Sequence, residues 1–220
     1  MGDFRLTGAV RSVFVLFCFF ISIISALGEQ WGQITEQKAE FFAASDVADS
    51  QIELTKKWYE IAAKNWGNYG PLEFWIIGNN EAAARTLDRK YCDIRKQKDP
   101  SIPIRHCLNR GHNFVSYAIR GNAGLNTRRN ENEKWSGFII TMSAKFPGPK
   151  EEDYKSVVLH EYFHVYQHAH IHSRKRSVRE SLHQQNPWWG EGGAEYMAQL
   201  LYSRQKGVRA GYLKERMERK

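Results

Sequence analysis

Nothing in this chain repeats at a fixed period, and no stretch is low in complexity. Those absences exclude solenoids, propellers and low-complexity arrays. Cysteine is scarce: Cys18, Cys92 and Cys107 are all there is, and their spacing is not that of a zinc finger. No aromatic-and-basic signature of RNA binding is present, so nucleic acid is not an expected partner. No apolar run reaches the roughly 20 residues that cross a bilayer. What is present is a 220-residue chain, 42% hydrophobic and 13% aromatic, enough to build a core in one domain. The formal charge of +8 could favour acidic substrates or anionic surfaces; its plainest reading is a solvated basic face.

The start of the chain reads as an address. Arg5 and Arg11 form a positive region, and residues 13–24 are apolar except for Ser22. Ala26 and Gly28 then stand at the two small-residue positions that a signal peptidase reads. A cleaved signal peptide over residues 1–28 is expected, leaving residues 29–220 as the mature domain without a stable membrane span, secreted or periplasmic. The alternative is an uncleaved anchor formed by residues 13–28. Export would place Cys92 and Cys107 in an oxidising compartment. Either they join or they pack as two small apolar thiols; the sequence leaves both open.

Patterning predicts the elements in turn. Residues 29–45 read as a loosely helical lead-in, and residues 46–65 as a helix with an internal capping-box pattern at Ser50-Gln51-Ile52-Glu53. Leu72-Glu73-Phe74-Trp75-Ile76-Ile77 follows Pro71 as a strand. Asn80 can cap a helix running to about residue 98, closed by Asp99-Pro100. Residues 113–119 read as a second strand, 121–134 as a polar loop and 135–142 as a third strand. Pro147-Gly148-Pro149 is a hard break. Residues 151–171 form a strong helix, 172–187 a basic polar loop and 188–206 a second strong helix; Gly207 precedes a short charged helix. The expected class is α+β, with a small antiparallel or mixed sheet packed on helices.

The chemistry gathers in His160-Glu161-Tyr162-Phe163-His164. On a helix, residues four apart are offset by only about 40° and one turn, so His160 and His164 can chelate one ion. Neutral imidazole suits Zn²⁺. Glu161 lies beside the first ligand and can act as base towards a zinc-activated water. Leu159, Phe163 and Tyr166 give the helix a packing face, and burying two histidines and a glutamate without a partner would be costly.

A later segment supplies a third donor. Glu191-Gly192-Gly193-Ala194-Glu195-Tyr196 follows His164 by 27 residues. Together the two motifs resemble the gluzincins, the thermolysin-like clan of zinc peptidases, with H-E-x-x-H on one helix and a glutamate ligand on a later one. The resemblance covers residues 135–206; residues 29–134 carry no specific motif of the clan. It implies that Glu191 is the third ligand, leaving one position open as a His₂Glu zinc site requires. It implies that Glu195 accepts a hydrogen bond from a ligand histidine, His160 first among them, fixing its orientation. It also implies that an edge strand near the active-site helix, matched by residues 138–143, pairs with an extended substrate. Gly192 and Gly193 would let the two helices approach closely.

The rival third ligand is His170, at the position used by the metzincins. That pattern turns sharply at a glycine, and here the position is Gln167, with no easy access to positive φ. If the helix continues, His170 is rotated about 80° from His160. His168 lies one turn beyond His164; with His170 and Gln167 it reads as an ordinary polar residue near the helix end. Tyr202, Tyr212 and His183 lie in the right part of the chain to stabilise a transition state, but no motif singles one out.

The resulting expectation is zinc-dependent hydrolysis of a peptide or protein substrate. The alternatives are a non-catalytic zinc-containing binding module, against which the intact Glu161 argues, and a zinc hydrolase of another amide or ester.

Overall fold

The computed structural model describes residues 31–128, 134–145, 151–171, 173 and 175–218. The expected signal peptide and the Pro147-Gly148-Pro149 break lie outside the described residues. In chain order the elements are β1 (Gln33–Ile34), β2 (Glu40–Ala43), α1 (Asp49–Trp66), β3 (Tyr69–Gly70), β4 (Leu72–Ile77), α2 (Glu81–Lys98), α3 (Ile104–Arg110), α4 (Phe114–Arg120), β5 (Ala123–Arg128), β6 (Gly137–Ser143), α5 (Glu151–Ala169), α6 (Arg176–Gln184), α7 (Glu191–Ser203) and α8 (Tyr212–Glu218).

The near-continuous apolar runs of β4 and β6 dictate the architecture. A strand without a polar face must be covered on both sides, and every residue of β4 and β6 is buried. They pair in parallel, from Leu72 opposite Phe138 to Ile77 opposite Ser143. β2 adds in parallel to the outer side of β4, and β5 adds antiparallel to β6, giving the order β2-β4-β6-β5. β1 and β3 form a separate antiparallel pair.

Side chains alternate across the four-stranded sheet. Phe74 and Ile140 face Trp58, Val158, Tyr162 and Ala198, the layer built by α1, α5 and α7. Trp75, Ile77 and Ile139 face Leu87, Cys92 and Phe114, the layer of α2, α3 and α4. The fold is α+β with a mixed sheet between helices, as the sequence implies. Among the described residues, no helix is long and apolar enough to cross a membrane.

Two tyrosines anchor α5. Tyr162 donates from its hydroxyl to the Gly67 carbonyl at 2.6 Å and accepts from the Tyr69 backbone N–H at 3.1 Å; burial pushes this phenol up. The Thr55 and Tyr154 hydroxyls meet at 2.8 Å between α1 and α5. Asn80 caps α2 by accepting from the Ala82 and Ala83 backbone N–H groups, as expected. Cys92 and Cys107 are joined, tying α2 to α3 with their Cα atoms 5.7 Å apart.

Five expectations are corrected. Residues 113–119 form a helix rather than a strand: Asn113 is left-handed at φ 64°, and Phe114 and Ala118, four apart, share the buried face while Ile119 points out. The polar stretch 121–134 contains β5, whose outer side carries no strand among the described residues, so polar residues suit it. The lead-in 29–45 holds β1 and β2, and the basic loop 172–187 holds α6. β6, expected to be the substrate-facing edge, lies inside the sheet, and β5 is the edge beside α5.

Candidate metal centre

α5 carries His160, Glu161 and His164 on the helix side that faces β5 and the start of α7. The two histidine Nε2 atoms stand 3.0 Å apart. Glu191, the first residue of α7, brings Oε2 to 3.3 Å from His160 Nε2 and 3.5 Å from His164 Nε2. Ligands about 2.0–2.1 Å from one tetrahedral ion stand about 3.3–3.4 Å from each other. The triangle therefore has the size, and the two-imidazole, one-carboxylate composition, that Zn²⁺ takes. Glu191 is exposed and His164 buried, so the triangle opens to solvent on one side.

The charges of this group are interdependent. Burial disfavours a charge on His160, yet hydrogen bonds with Glu191 and Glu195 outweigh it and push the imidazole up to about 9. The His160 and His164 imidazoles, in turn, hold the Glu191 carboxyl well below the usual carboxylate range. Its place in the first turn of α7 favours negative charge as well. A site that binds a proton this firmly also favours a cation, and the two compete.

Glu161 differs from Glu191. It is buried, and its Oε2 has no hydrogen-bond partner among the described residues. Burial raises its pKa, opposed by the nearby His164 and His160. A buried carboxylate oxygen without a partner is costly, and Glu161 lines a cavity of about 290 Å³ together with Gly124, Asn126, His164, His183 and Glu191. A carboxylate tuned upward and open to a cavity is what a general base requires.

Both histidines are oriented from behind. Glu195 Oε2 lies 3.3 Å from His160 Nδ1. Gln199 Nε2 donates to Glu195 Oε1 at 3.2 Å, and the buried Tyr212 hydroxyl donates to Gln199 Oε1 at 2.7 Å. His164 is set by Gln167. The Gln167 amide nitrogen donates to the carbonyls of Trp189 and Gly190, the latter at 3.1 Å. Its oxygen must then be the atom 2.8 Å from His164 Nδ1. An oxygen there accepts, so Nδ1 carries a hydrogen, and Nε2, on the side of Glu191, is the nitrogen left to bind a cation. His183 Nε2 lies 3.2 Å from the same Nδ1.

Close approach is needed at Gly190. A Cβ there would stand 2.9 Å from the His183 carbonyl and 3.1 Å from its ring, whereas at Gly192 and Gly193 the nearest atoms would be 3.5 and 3.4 Å away. The crowding expected at Gly192 and Gly193 therefore falls two to three residues earlier. His170 points elsewhere, with its Nδ1 donating to the Tyr166 carbonyl at 2.7 Å and its ring against Tyr69 and Tyr166. His168 is buried and stacks on His183. Tyr202 and Tyr212 are core residues, and His183 alone of the three candidate donors lines the cavity.

Gln167 and β5 were not legible as parts of the site, and His183 was legible only as one of three candidate donors that no motif singled out. Gln167 had a signal, since position i+3 from His164 shares its helix face. The other two depend on α6 and β5, whose existence the composition concealed. Cys92, Cys107 and His112 also lie close together, but the two cysteines are bonded to each other. Comparison of the chain with protein-family models, curated proteins and solved structures finds no match.

Proposed function

We propose that the chain is an exported zinc metallopeptidase of the gluzincin type. The observation that carries this reading is the triangle of His160 Nε2, His164 Nε2 and Glu191 Oε2, at 3.0, 3.3 and 3.5 Å, beside the unpartnered carboxylate oxygen of Glu161. When bound, zinc would polarise the scissile carbonyl and acidify a water. Glu161 takes the proton from the attacking water and passes it to the leaving amine, the dual role of a base positioned between them. Gln167 and Glu195 hold the two imidazoles with their Nε2 lone pairs directed inwards. Among the described residues the outer edge of β5 carries no strand, and an extended backbone can pair there, along the cavity, by main-chain hydrogen bonds.

The test is Glu161→Gln. The amide leaves both imidazoles and Glu191 untouched, so zinc content stays near one per chain. It cannot take a proton, so hydrolysis of a peptide that the wild type cleaves falls by about 10²–10⁴-fold. Equal turnover at equal zinc occupancy would show that Glu161 is not the base.

A further inference from the structure

A second cavity adjoins the first. It measures about 350 Å³ and shares Asn126, Thr127 and Arg176 with the Glu161 cavity, so the two meet along the second half of β5. Among the described residues its lining holds Arg110, Arg128, Arg176 and His112, and no carboxylate. Asp88 is turned to His112 Nδ1, and Asp99 acts on Arg128 through its charge. Arg176 uses its Nε on Glu180. Arg110 is exposed and forms no ion pair among the described residues. Thr127 and Thr141 also line this cavity. Guanidinium groups at the end of a strand edge make a receptor for a carboxylate.

We propose that this cavity is a specificity subsite for an acidic side chain of the substrate. The inference rests on the peptidase reading above for the placement of the substrate backbone. Gly124 marks the catalytic end of β5. A Cβ there would lie 3.5 Å from the Tyr117 hydroxyl, and the charge of Glu161 helps to raise that same phenol. At about 3.3 Å per residue, the stretch from Gly124 to Arg128 covers about 13 Å. A backbone pairing antiparallel to β5 runs from Arg128 towards Gly124. Its residue in the second cavity therefore lies about three positions on the N-terminal side of the scissile bond, and its side chain meets the arginines.

The test uses the full chain loaded with zinc. A randomised peptide library is passed over Glu161→Gln protein, which binds without turnover, and the retained peptides are sequenced. The same library is digested by wild type to locate the scissile bond. The expected result is enrichment of Asp and Glu by about tenfold over Asn and Gln, the size of a charge-assisted hydrogen bond. Cleaved peptides should place the acid on the N-terminal side of the bond, within about four residues, given the strand spacing. The double charge reversal Arg110→Glu, Arg176→Glu changes two exposed residues and should abolish the enrichment. Retained peptides without acidic enrichment, enrichment that survives the reversal, or an acid fixed on the C-terminal side would each overturn the proposal. The two readings fail separately: cleavage without acidic enrichment rejects the subsite and keeps the peptidase, and acidic enrichment without cleavage does the opposite.

Discussion

Replacing Gln167 by leucine tests whether the orientation of His164 depends on a side chain that is no ligand itself. Gln167 is 1% exposed, and leucine fills nearly the same volume, so the change removes hydrogen bonds rather than packing. Three are lost: one from His164 Nδ1 and two to the carbonyls of Trp189 and Gly190. The Gly190 carbonyl keeps its bond from the Ala194 N–H at 3.0 Å, so the main exposure of unmet polarity falls on Trp189 and His164. At about 1 kcal/mol per net bond, with a further penalty for a buried group left unpaired, the loss of stability is on the order of 2–3 kcal/mol. Loss of a group that orients a metal-binding histidine typically lowers metal affinity about 10–100-fold.

His183 Nε2, 3.2 Å from His164 Nδ1, can accept the orphaned N–H. The single variant should therefore sit near the lower end of that range, about tenfold, and Gln167→Leu with His183→Leu near the upper end. Competition against a chromogenic zinc chelator gives the affinity, and thermal melts with and without zinc give the stability. Wild-type zinc affinity in a folded double variant would refute the argument, because it would mean that His164 needs no acceptor behind it.

Glu191→Ala is expected to empty the metal site and His170→Ala to leave it filled, as read by metal analysis of both proteins; the reverse pattern would reject the ligand set. The Cys92–Cys107 bond closes a separation of 15 residues, worth about 3 kcal/mol by loop closure, so Cys92→Ala with Cys107→Ala should lose about that much in denaturant melts, while unreduced mass spectrometry should find no alkylatable thiol at either position. His168 is held down to about 3 by burial and by the charges of His183, His164 and Arg179. Its folded pKa lies below the ordinary value of 6.5, so it contributes stability that is present above that value and lost as the pH falls towards 3, on the order of 5 kcal/mol across the window. His168→Leu should flatten this acid limb in denaturation series, and an unchanged slope would count against it.

The parts of the fold legible in the sequence were those with one strong local signal. Leu72–Ile77 could be read because a short run, apolar but for Glu73, follows Pro71 in the pattern of a strand. His160 and His164 could be paired because helical geometry alone sets their offset. The failures share a cause: local composition was answering to partners distant in sequence. Residues 113–119 carry Phe114, Val115, Tyr117 and Ile119 and look strand-forming. Their burial at positions 114 and 118 is decided by packing against α2, and tertiary context overrides propensity of that strength. β5 is polar because its outer side borders the two cavities, and strand patterning looks for an apolar alternation that such an edge lacks. α6 buries Arg179, stacked over Trp31 at 5.2 Å, so its inward face does not read as apolar.

The site also explains why the start of α7 is built as it is. Residues 189–191 perform two tasks: two carbonyls hold the Gln167 amide, and the next side chain supplies Glu191. Gly190 lies where a Cβ would strike His183, so the segment can reach Gln167 only without a side chain at that position. A cation shared by His160, His164 and Glu191 would join α5 to α7 across this same contact. Its binding energy would then add to the docking of α7, because ligands on two elements convert metal affinity into folding stability. The consequence is local rather than global. α5 is fixed independently by Tyr162 and Tyr154, so zinc should slow amide exchange most in the first turns of α7 and least in the middle of α5. Uniform protection of both helices would mean that the ion stabilises the domain as a whole and that the α5–α7 contact is not where its energy is felt.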